Sequence, residues 1–454
     1  MKQKSNLKMD SDILRAVLLF AAVCEFPIFE RMSSTMGTIL SAIKLIALVY
    51  CLFRMGRRKR FKKSEVLNKM HFWFLLYCIV GAISTALSTP EQMLSYIKNY
   101  LYPYISTLIV FETIFVVDKY HFNEKISAIA KYLGIFIWIN FATMIIWKNG
   151  IITSSASSAR ERANWIFGSK NNIVPFLPII LCVIGMDMVL NKEKKNSAFF
   201  DYATLGIAFL SFSSMGETGF EFLSGSTTAL VEILAFFLIS ILFDRFKNTR
   251  IIRWFTMRNI CIVSVAFMAI IVDVSQGSDG LISRVVSLLG KDIGFTGRYS
   301  VWAKAVETIK ESPVFGIGLE ERIFPTWNSR WSYNTSIYSY WLSIGVRFGL
   351  AGLIANFMMF SVSDKNGSWK DPVSFMCKLS FFIMMIGGLT SIINIRYWMM
   401  ILMLVYLWNQ YGYHQNQAAV DHFSGGFNVR SGVKKPFLNQ EAEIYESSKT
   451  HGPG

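Results

Sequence analysis

The sequence predicts an all-α fold: a polytopic membrane protein of about 12 transmembrane helices, with one large external loop that contains an amphipathic helix. Composition is the first observation behind this prediction. Of the 454 residues, 53% are hydrophobic and 17% are charged, and the mean hydropathy is +0.39, whereas a soluble chain of this length carries more charge. The second is that the apolar residues gather in runs close to the roughly 20 residues that cross a bilayer.

Twelve apolar stretches are candidates for membrane-spanning helices, and the ninth and twelfth of them are short. They are residues 13–29, 36–53, 71–88, 102–117, 132–147, 172–190, 199–214, 226–243, 259–273, 335–360, 374–392 and 396–409. An even number of spans places the N- and C-termini on the same side of the membrane.

The basic residues predict which side that is. Lys and Arg number 46 against 30 Asp and Glu, a formal net charge of +16, and cytoplasmic loops of membrane proteins are enriched in basic residues. Five basic loops share a side with the N-terminus: residues 54–69, 118–131, 191–198, 244–258 and 361–373. Both termini are therefore expected in the cytoplasm. This distribution explains the positive charge without a nucleic-acid partner.

The chain divides into four parts on this pattern. Residues 1–273 hold the first nine helices and an external loop at 148–171, and residues 274–334 form the large external loop, the predicted active-site segment. Residues 335–409 hold the last three helices, and the hydrophilic tail 410–454 is expected to be cytoplasmic and disordered. Loops as long as the two external ones are usually functional in a compact membrane domain.

Cysteine and histidine placement argues against disulfides and against an external metal site. The six cysteines stand singly in or beside apolar stretches, as small buried hydrophobic residues do. None of the five histidines falls in a predicted external loop. We therefore expect neither a catalytic histidine nor a histidine-bound metal at the external face.

Within the large loop, residues 297–312 are expected to form a helix. Apolar side chains recur there at helical spacing and form one stripe: Val301, Trp302, Ala305, Val306 and Ile309. Thr296 suits the N-cap and Pro313 ends the helix. Because the stripe fixes the helix on the bundle or in the membrane interface, Arg298 at its start is held in a defined place.

Arginines are the main candidates for substrate-binding side chains in the predicted external loops. They are Arg160 and Arg162 in the loop at 148–171, and Arg284, Arg298, Arg322 and Arg330 in the large loop. The guanidinium fork pairs with phosphate bidentately, and a diphosphate leaving group bound without metal needs two or three such partners. The alternative is that these are ordinary loop arginines at lipid headgroups; for Arg298 the phosphate interpretation is favoured.

Carboxylates and aromatic residues of the same loop suggest how a sugar acceptor is handled. Glu320 lies two residues after Gly318 of the Gly316-Ile-Gly318 segment and is the first candidate for a base that assists an attacking hydroxyl. Trp327, Trp331 and Tyr333 offer flat faces on which sugar rings pack. The alternatives are a solvated loop carboxylate and the aromatic belt that any membrane protein carries at its interface.

The order of these residues resembles the O-antigen polymerase and ligase superfamily of bacterial envelope glycosyltransferases. Its hallmark is a large external loop with a GR…W…A…P…GxG pattern, which here reads Gly297-Arg298, Trp302, Ala305, Pro313 and Gly316-Ile-Gly318. The resemblance covers residues 160–355 and includes Lys170-Asn171-Asn172, the polar run Ser224 to Ala229, Asn334, and the glycines Gly345, Gly349 and Gly352. From their spacing, these three glycines are expected to be helix-packing positions.

Two departures from the family pattern bear on the reaction. Ligases of this family typically have His-Asn where this chain has Tyr333-Asn334. The polar element often carries Ser-Arg, whereas here Ser226 is followed by Thr227. Both departures argue against the ligase branch.

The resemblance implies a metal-independent glycosyltransferase of the bacterial cytoplasmic (inner) membrane. It implies a polysaccharide polymerase that transfers a glycan chain from undecaprenyl diphosphate to a lipid-linked repeat unit at the outer face, with no cofactor. Arg298, with Arg160 or Arg162, would bind the donor diphosphate, and Glu320 would assist the acceptor hydroxyl. The residues expected to contact glycan are Trp327, Trp331, Tyr333 and Asn334.

The partners implied by this resemblance are undecaprenyl-diphosphate-linked oligosaccharide and polysaccharide, membrane lipids, and chain-length regulator and flippase proteins. Three alternatives stay open. One is a ligase that moves finished glycan to another acceptor, and another is a structural or assembly protein whose loop docks a partner. The third is a lipid-linked oligosaccharide flippase, but transporters usually carry ionisable residues at mid-membrane and repeated halves, and Glu232 is one of few such residues here.

Overall fold

Helices make up most of the computed structural model of the protein. It describes residues 2–24, 26–57, 69–117, 121–155, 161–216, 218–274, 298–319, 337, 339–364, 370–390 and 395–412. All structural statements below concern these residues.

The first half of the chain is helical except for one hairpin. Its helices are α1 (Lys2–Val23), α2 (Pro27–Met32), α3 (Ser34–Arg57), α4 (Lys69–Ser88), α5 (Met93–Tyr96), α6 (Tyr102–Glu112) and α7 (Phe122–Ile146). A 3₁₀ turn at Pro90–Gln92 precedes α5, and π-helical turns at Ile97–Leu101 and Thr113–Val117 flank α6, so that one continuous helical rod runs from 90 to 117. The hairpin strands are β1 (Ile152–Ser155) and β2 (Glu161–Asn164).

The second half continues the up-and-down pattern. Its helices are α8 (Lys170–Leu190), α9 (Lys195–Ser213), α10 (Thr227–Phe246), α11 (Arg250–Trp254), α12 (Met257–Val274), α13 (Arg298–Glu311), α14 (Tyr340–Ser363), α15 (Pro372–Thr390) and α16 (Ile395–Leu407). A π-helical turn at Trp408–Gly412 follows α16. We call the end of the bundle that carries α13 and the hairpin the α13 end.

Seven helical stretches of the described residues are long and apolar enough to cross a membrane. They are Thr35–Arg57, Lys69–Ser88, Pro90–Val117, Phe122–Ile146, Asn172–Leu190, Tyr340–Ser363 and Pro372–Leu389, and Thr227–Phe243 and Met257–Val272 are shorter apolar helices. The protein is thus a mostly helical, multi-pass membrane protein. Each of the twelve predicted stretches overlaps a helix, but twelve crossings and the four-part division stay predictions.

The segment between the predicted spans 71–88 and 102–117 is helical and not a loop. Residues 90–101 continue the rod that ends at Val117. Tyr96 is 1% exposed and its hydroxyl donates to the Cys78 carbonyl at 2.7 Å. Gly81 leaves room for this ring, since a Cβ there would overlap it. Only one face of this segment is buried, and polar residues such as Lys98 lower its mean hydropathy. Hydropathy therefore did not predict the helix.

Within the described residues, the exception to the all-α prediction is a hairpin in the loop at 148–171. There β1 and β2 pair antiparallel, with Ile152 opposite Asn164 and Ser154 opposite Arg162. Gly150 has φ +93°, a conformation suited to glycine, and turns the chain from α7 into β1. The hairpin occupies part of a loop for which hydropathy gave no secondary structure.

At the opposite end of the bundle, buried polar side chains join several helices. The Lys378 ammonium lies 2.9 Å from Asp364 Oδ1, and the two side chains are only 4% and 5% exposed. Asp364 also accepts hydrogen bonds from the Met257 amide at 3.2 Å and the Asn409 side chain at 3.5 Å. This network links α12, α15 and the π-helical turn after α16 to the end of α14. The cysteine prediction is confirmed, because all six are free and buried.

Candidate functional site

The amphipathic helix predicted in the large loop is α13, and its apolar stripe is buried against the bundle. Val301, Trp302 and Ala305 are 1%, 0% and 0% exposed and pack with apolar residues of α12 and α14. Trp302 Nε1 donates a hydrogen bond to the Ile337 carbonyl at 2.9 Å. The stripe prediction is therefore confirmed. The helix begins at Arg298, whose side chain lies outside the described part of the chain.

The other face of α13 is exposed and charged. Lys304 Nζ lies 3.0 Å from Glu307 Oε2, and these side chains are 41% and 62% exposed. Lys310 is also exposed. The helix is thus fixed by one face only and presents the other away from the bundle.

The chain leaves α13 through a short turn, Pro313 to Gly318, that packs on a break in α14. The break is at Gly349, whose φ is +62° and ψ is −161°. In an unbroken α-helix the amides of residues 350 and 351 would bond to the carbonyls of residues 346 and 347. The break leaves these four backbone groups without their usual partners.

The Pro313 to Gly318 turn supplies new partners for all four groups. Ile317 and Gly318 amides donate to the Val346 and Arg347 carbonyls, both at 2.9 Å, and Leu350 and Ala351 amides donate to the Pro313 and Val314 carbonyls at 2.8 and 3.1 Å. Buried backbone groups are costly when unpaired, so the turn and the break depend on each other. This exchange ties the exit of α13 to the first half of α14.

Glycine is required at this junction because backbones approach closely there. Gly316 and Gly318 have φ of +69° and +63°, which other residues adopt only with strain. A Cβ on Gly316 would overlap the Val346 carbonyl, and a Cβ on Gly318 would lie 2.9 Å from Thr85 Cα. The GxG part of the sequence pattern therefore has a structural cause.

Of the three glycines expected from their spacing to be helix-packing positions, Gly349 is different. The expectation fits Gly345, since a Cβ there would lie 2.8 Å from Ile309 of α13. Gly349 instead breaks α14, and a Cβ there would overlap the Val314 carbonyl. Glycine spacing alone could not reveal the break, because its partner lies about thirty residues earlier in the chain.

Helix α4 completes the support beneath the turn. Ser84 Oγ donates to the Arg347 carbonyl at 2.6 Å, so this carbonyl accepts from both Ser84 and Gly318. The first half of the chain therefore helps to position the segment that carries the family pattern.

Arg347 is a candidate functional residue that the sequence prediction missed. Its guanidinium donates to the Tyr100 hydroxyl and lies 5.3 Å from the centre of that ring. Tyr100 in turn stacks on Tyr96, with ring centroids 5.9 Å apart. Within the described residues, Arg347 forms no ion pair with a carboxylate. The available signal was a single charge inside an apolar stretch, which in membrane proteins usually marks a function.

The loop at 148–171 carries the two arginines proposed as partners of Arg298. Arg162 lies on β2 opposite Ser154, but its side chain is outside the described part, as is all of Arg160. At the loop's exit, Ser169 and Asn172 form a capping box at the start of α8. The structure thus gives the backbone position of Arg162 and leaves its pairing with Arg298 a prediction.

The short segment between α9 and α10 lies beside this loop. The Phe220 amide donates to the Lys148 carbonyl at 2.7 Å. Ser226, from the polar run Ser224 to Ala229, caps α10 by accepting from the Ala229 amide at 3.4 Å. Its hydroxyl therefore has at least a structural role.

Glu232 lies on α10 and is 1% exposed. Neither of its carboxylate oxygens has a hydrogen-bond partner among the described residues. Gly387 of α15 makes room for this side chain, since a Cβ there would overlap it. A carboxyl group buried in this way is costly when ionised, so Glu232 is poorly suited to bind an anionic substrate.

The remaining predicted site residues lie outside the described part of the chain. They are Glu320, Trp327, Trp331, Tyr333 and Asn334. In the part that is described, no group of three or more His, Cys, Asp or Glu side chains is arranged to bind a metal ion. The structure therefore describes the elements that surround the predicted site: α13, the turn after it, the broken α14 and the hairpin.

A comparison with known protein families finds a match in this part of the chain. Residues 210–357 match the family model described as O-antigen ligase. No curated protein matches the chain. The matched region, about a third of the chain, contains α13, the Pro313 to Gly318 turn and the break in α14. Together with the GR…W…A…P…GxG pattern, the match shows that this part of a multi-pass membrane protein is similar to the O-antigen ligase family.

Proposed function

We propose that this protein is a polysaccharide polymerase that acts at the outer face of the bacterial cytoplasmic membrane. It transfers a glycan chain from one polyprenyl diphosphate to a lipid-linked repeat unit. The observation that carries the proposal is the exchange of backbone hydrogen bonds between the Pro313 to Gly318 turn and α14, within the residues that match the family. It anchors the C-terminal end of α13, the helix that begins at Arg298.

In the proposed reaction, the bond between the donor sugar's anomeric carbon and the diphosphate oxygen breaks. A new glycosidic bond forms to the acceptor hydroxyl, whose proton passes to Glu320. Arg298, with Arg160 or Arg162, stabilises the negative charge that develops on the leaving diphosphate. The glycan would lie along Trp327, Trp331, Tyr333 and Asn334. The reaction needs no nucleotide sugar, and the proposal includes no metal.

A ligase is the second candidate, because the matching family model carries that description. A ligase would pass the finished glycan to an acceptor other than a lipid-linked repeat unit. Tyr333 stands where ligases typically have histidine, which favours the polymerase. A flippase would move the lipid-linked unit across the membrane without forming a glycosidic bond.

The test is product formation by the purified protein in proteoliposomes supplied with synthetic polyprenyl-diphosphate repeat units. Wild-type protein is expected to give a ladder of products on a gel, and Arg298→Ala is expected to lose it. Lys310→Ala is the matched control, because it removes one positive charge from the exposed face of the same helix.

The outcomes separate the candidates. A ladder that Lys310→Ala retains and Arg298→Ala loses supports the polymerase and the role of Arg298. A single transfer product that appears only with a different acceptor would indicate the ligase. Movement of the lipid without any new glycosidic bond would indicate the flippase. A full ladder from Arg298→Ala would remove Arg298 from the donor site.

Given this function, the expected partners are flippase and chain-length regulator proteins beside the enzyme, and membrane lipids around it. These follow from the reaction, which consumes a lipid-linked unit at the outer face and produces chains of controlled length.

A further inference from the structure

A second cationic position lies beside the break in α14, on the side of the bundle that faces the membrane. In the first half of α14, Ser343 and Arg347 are the side chains that are not fully buried, so they form its outward face. The Arg347 guanidinium contacts Tyr100 of the helical rod 90–117 there. This rod is long and apolar enough to cross a membrane, and its Ile97 is 44% exposed. Arg347 therefore lies where the protein surface meets lipid.

The depth of Arg347 follows from a contact with α4. Its carbonyl accepts from Ser84 Oγ at 2.6 Å, and α4 ends four residues later, at Ser88. Arg347 is therefore level with a point about 6 Å, close to one helical turn, inside the end of α4 that supports the Pro313 to Gly318 turn. An arginine at this depth reaches the head-group region of the bilayer, because its long side chain extends toward the interface.

Arg347 and Tyr100 together leave hydrogen-bond donors unused. A guanidinium has five N–H donors, and the described residues take up one of them, from Nη1 to the Tyr100 hydroxyl. That hydroxyl accepts this bond and keeps its own O–H to donate. No described carboxylate pairs with the cation. The pair is thus suited to an anion, and the planar guanidinium fork matches a phosphate group.

Arg347 is too far from Arg298 for the two to bind one diphosphate. Helix α13 runs beside α14 in the same direction, since its first half contacts Ile337 and Ile309, near its end, lies against Gly345. Arg298 is eleven residues before Ile309, which is about 16 Å along the helix. Arg347, two residues after Gly345, also lies on the opposite side of α14 from α13, because each residue turns a helix by about 100°.

The proposed reaction uses two lipid diphosphates at once. One leaves the donor sugar, and the other stays attached to the acceptor repeat unit. The leaving diphosphate gains charge in the transition state and needs several cationic partners. The acceptor diphosphate gains none, so one arginine and one hydroxyl suit it.

We propose that Arg347 and Tyr100 bind the diphosphate of the acceptor lipid, with its polyprenyl chain in the bilayer beside Ile97. The inference rests on the polymerase function, in which Arg298 serves the donor. The sugars of the acceptor repeat unit then bridge the distance between the two arginines. The acceptor hydroxyl forms the new bond to the donor's anomeric carbon, while the acceptor's own diphosphate stays in place.

The first test counts bound lipids by native mass spectrometry of the purified protein in detergent. The probe is a polyprenyl diphosphate, and polyprenol, which lacks the phosphates, is the comparison. Wild type is expected to bind two molecules of the probe. In Arg347→Gln, one of the two is expected to bind about tenfold more weakly, as for the loss of a hydrogen bond to a charged group. Lys98→Gln is the matched control, because Lys98 is an exposed cation of the same rod, on the face away from Tyr100; it is expected to bind two.

The second test assigns the site to the acceptor by single-transfer kinetics in proteoliposomes. In the donor analogue the accepting hydroxyl is replaced by hydrogen, and in the acceptor analogue the anomeric oxygen is replaced by CH₂, so that each molecule has one role. Arg347→Gln is expected to raise KM for the acceptor about tenfold and to leave kcat and KM for the donor within about twofold. Arg347→Lys, which keeps the charge, is expected to recover most of this loss.

A water-soluble acceptor without the lipid diphosphate separates binding from a structural role. With it, Arg347→Gln and wild type are expected to react alike, whereas a misplaced α14 would slow both acceptors. If Arg347→Gln does not fold, Tyr100→Phe decides, because it keeps the charge and removes one donor. It is expected to raise KM for the lipid-linked acceptor by at least about threefold, as for the loss of one ordinary hydrogen bond.

Three results would overturn the proposal: a single bound polyprenyl diphosphate in wild type, a rise in KM for the donor instead of the acceptor, or equal losses with the two acceptors. Two bound lipids in wild type without any transfer product would reject the polymerase, and the acceptor role with it, but would leave a second lipid site at Arg347. Failure of the inference and failure of the proposed function are therefore distinguishable.

Discussion

Gly349 illustrates how a single residue can carry the geometry of the candidate site. Its φ of +62° and ψ of −161° lie in a region that essentially only glycine occupies. The four hydrogen bonds between α14 and the Pro313 to Gly318 turn exist because the helix is broken there. A side chain at this position would both strain the backbone and overlap the Val314 carbonyl.

We therefore expect Gly349→Ala to lower the free energy of unfolding by at least about 1–3 kcal/mol, the cost of such backbone strain. Gly206→Ala is the matched control, because nothing lies within 4 Å of a Cβ there and Gly206 is inside α9. That variant is expected to be about 0.5–1 kcal/mol more stable than wild type. Denaturant unfolding in detergent measures both, and similar stabilities would contradict the role given to the break.

Tyr100 is the one hydrogen-bond partner of the Arg347 side chain that the described residues provide. Tyr100→Phe keeps the ring under the guanidinium but removes the hydroxyl, and a hydrogen bond to a charged group contributes about 1.5–3 kcal/mol. We expect a loss near the lower end, because Arg347 is only half-buried. Tyr202→Phe is the control, since Tyr202 is 60% exposed. Equal unfolding curves for the two variants would mean that Arg347 is held by other contacts.

At the scale of elements, α13 is positioned by its apolar stripe, by the turn that follows it and by the hydrogen bond from Trp302 to the Ile337 carbonyl. Trp302→Phe retains much of the apolar volume but removes the N–H donor, and leaves the Ile337 carbonyl without it. We expect a loss of roughly 1–3 kcal/mol, the cost of an unsatisfied buried group. We also expect weaker product formation, because the start of α13 would be less well placed. Lys310→Ala is expected to change neither quantity, and a Trp302→Phe protein with full activity would argue against this positioning role.

The sequence predicted α13 well because its apolar stripe follows helical spacing without interruption, from Val301 to Ile309. Hydropathy could not predict the break at Gly349, since the amides and carbonyls that satisfy it come from a turn far away in the chain. Nor could it predict the helix at 90–101, because most residues of this segment are not buried and its polar residues lower the hydropathy around the buried Tyr96. Site residues such as Arg298 and Glu320 were inferred from the sequence pattern of the large loop, and their side-chain positions remain predictions.

For the whole molecule, the end opposite α13 is held by the buried pair Asp364 and Lys378. Burial raises the pKa of Asp364, and Lys378 opposes this rise. The hydration that the ionised carboxylate loses on burial therefore outweighs its attraction to Lys378. Buried ion pairs of this kind add little net stability, but breaking one leaves a charge without compensation. The pair therefore contributes more to the arrangement of the helix ends than to the stability of the fold.

Accordingly, Asp364→Asn alone is expected to cost about 3–5 kcal/mol, whereas Asp364→Asn combined with Lys378→Met recovers most of the loss. The exposed pair on α13 is the control: Glu307→Gln is expected to change the stability by less than about 1 kcal/mol. The measurement is a double-mutant cycle of unfolding free energies. Additive losses from Asp364→Asn and Lys378→Met would mean that the two side chains act independently.

The proposed reaction at the outer face also requires a particular orientation of the whole bundle. Because all six native cysteines are buried, a cysteine introduced on the surface reports its side of the membrane with little background. Lys310 lies on the exposed face of α13, and Lys192 is exposed in the turn after α8. Chain alternation places these two residues at opposite ends of the bundle.

With a membrane-impermeant maleimide, Lys310→Cys is expected to be labelled in intact cells, and Lys192→Cys only after the membrane is permeabilised. The reason is the enrichment of basic residues in loops on the Lys192 side, which are retained in the cytoplasm. The reverse pattern would place α13 in the cytoplasm. It would then exclude glycan transfer at the outer face, whatever the variants of Arg298 do in proteoliposomes, because reconstitution inserts the protein in both directions.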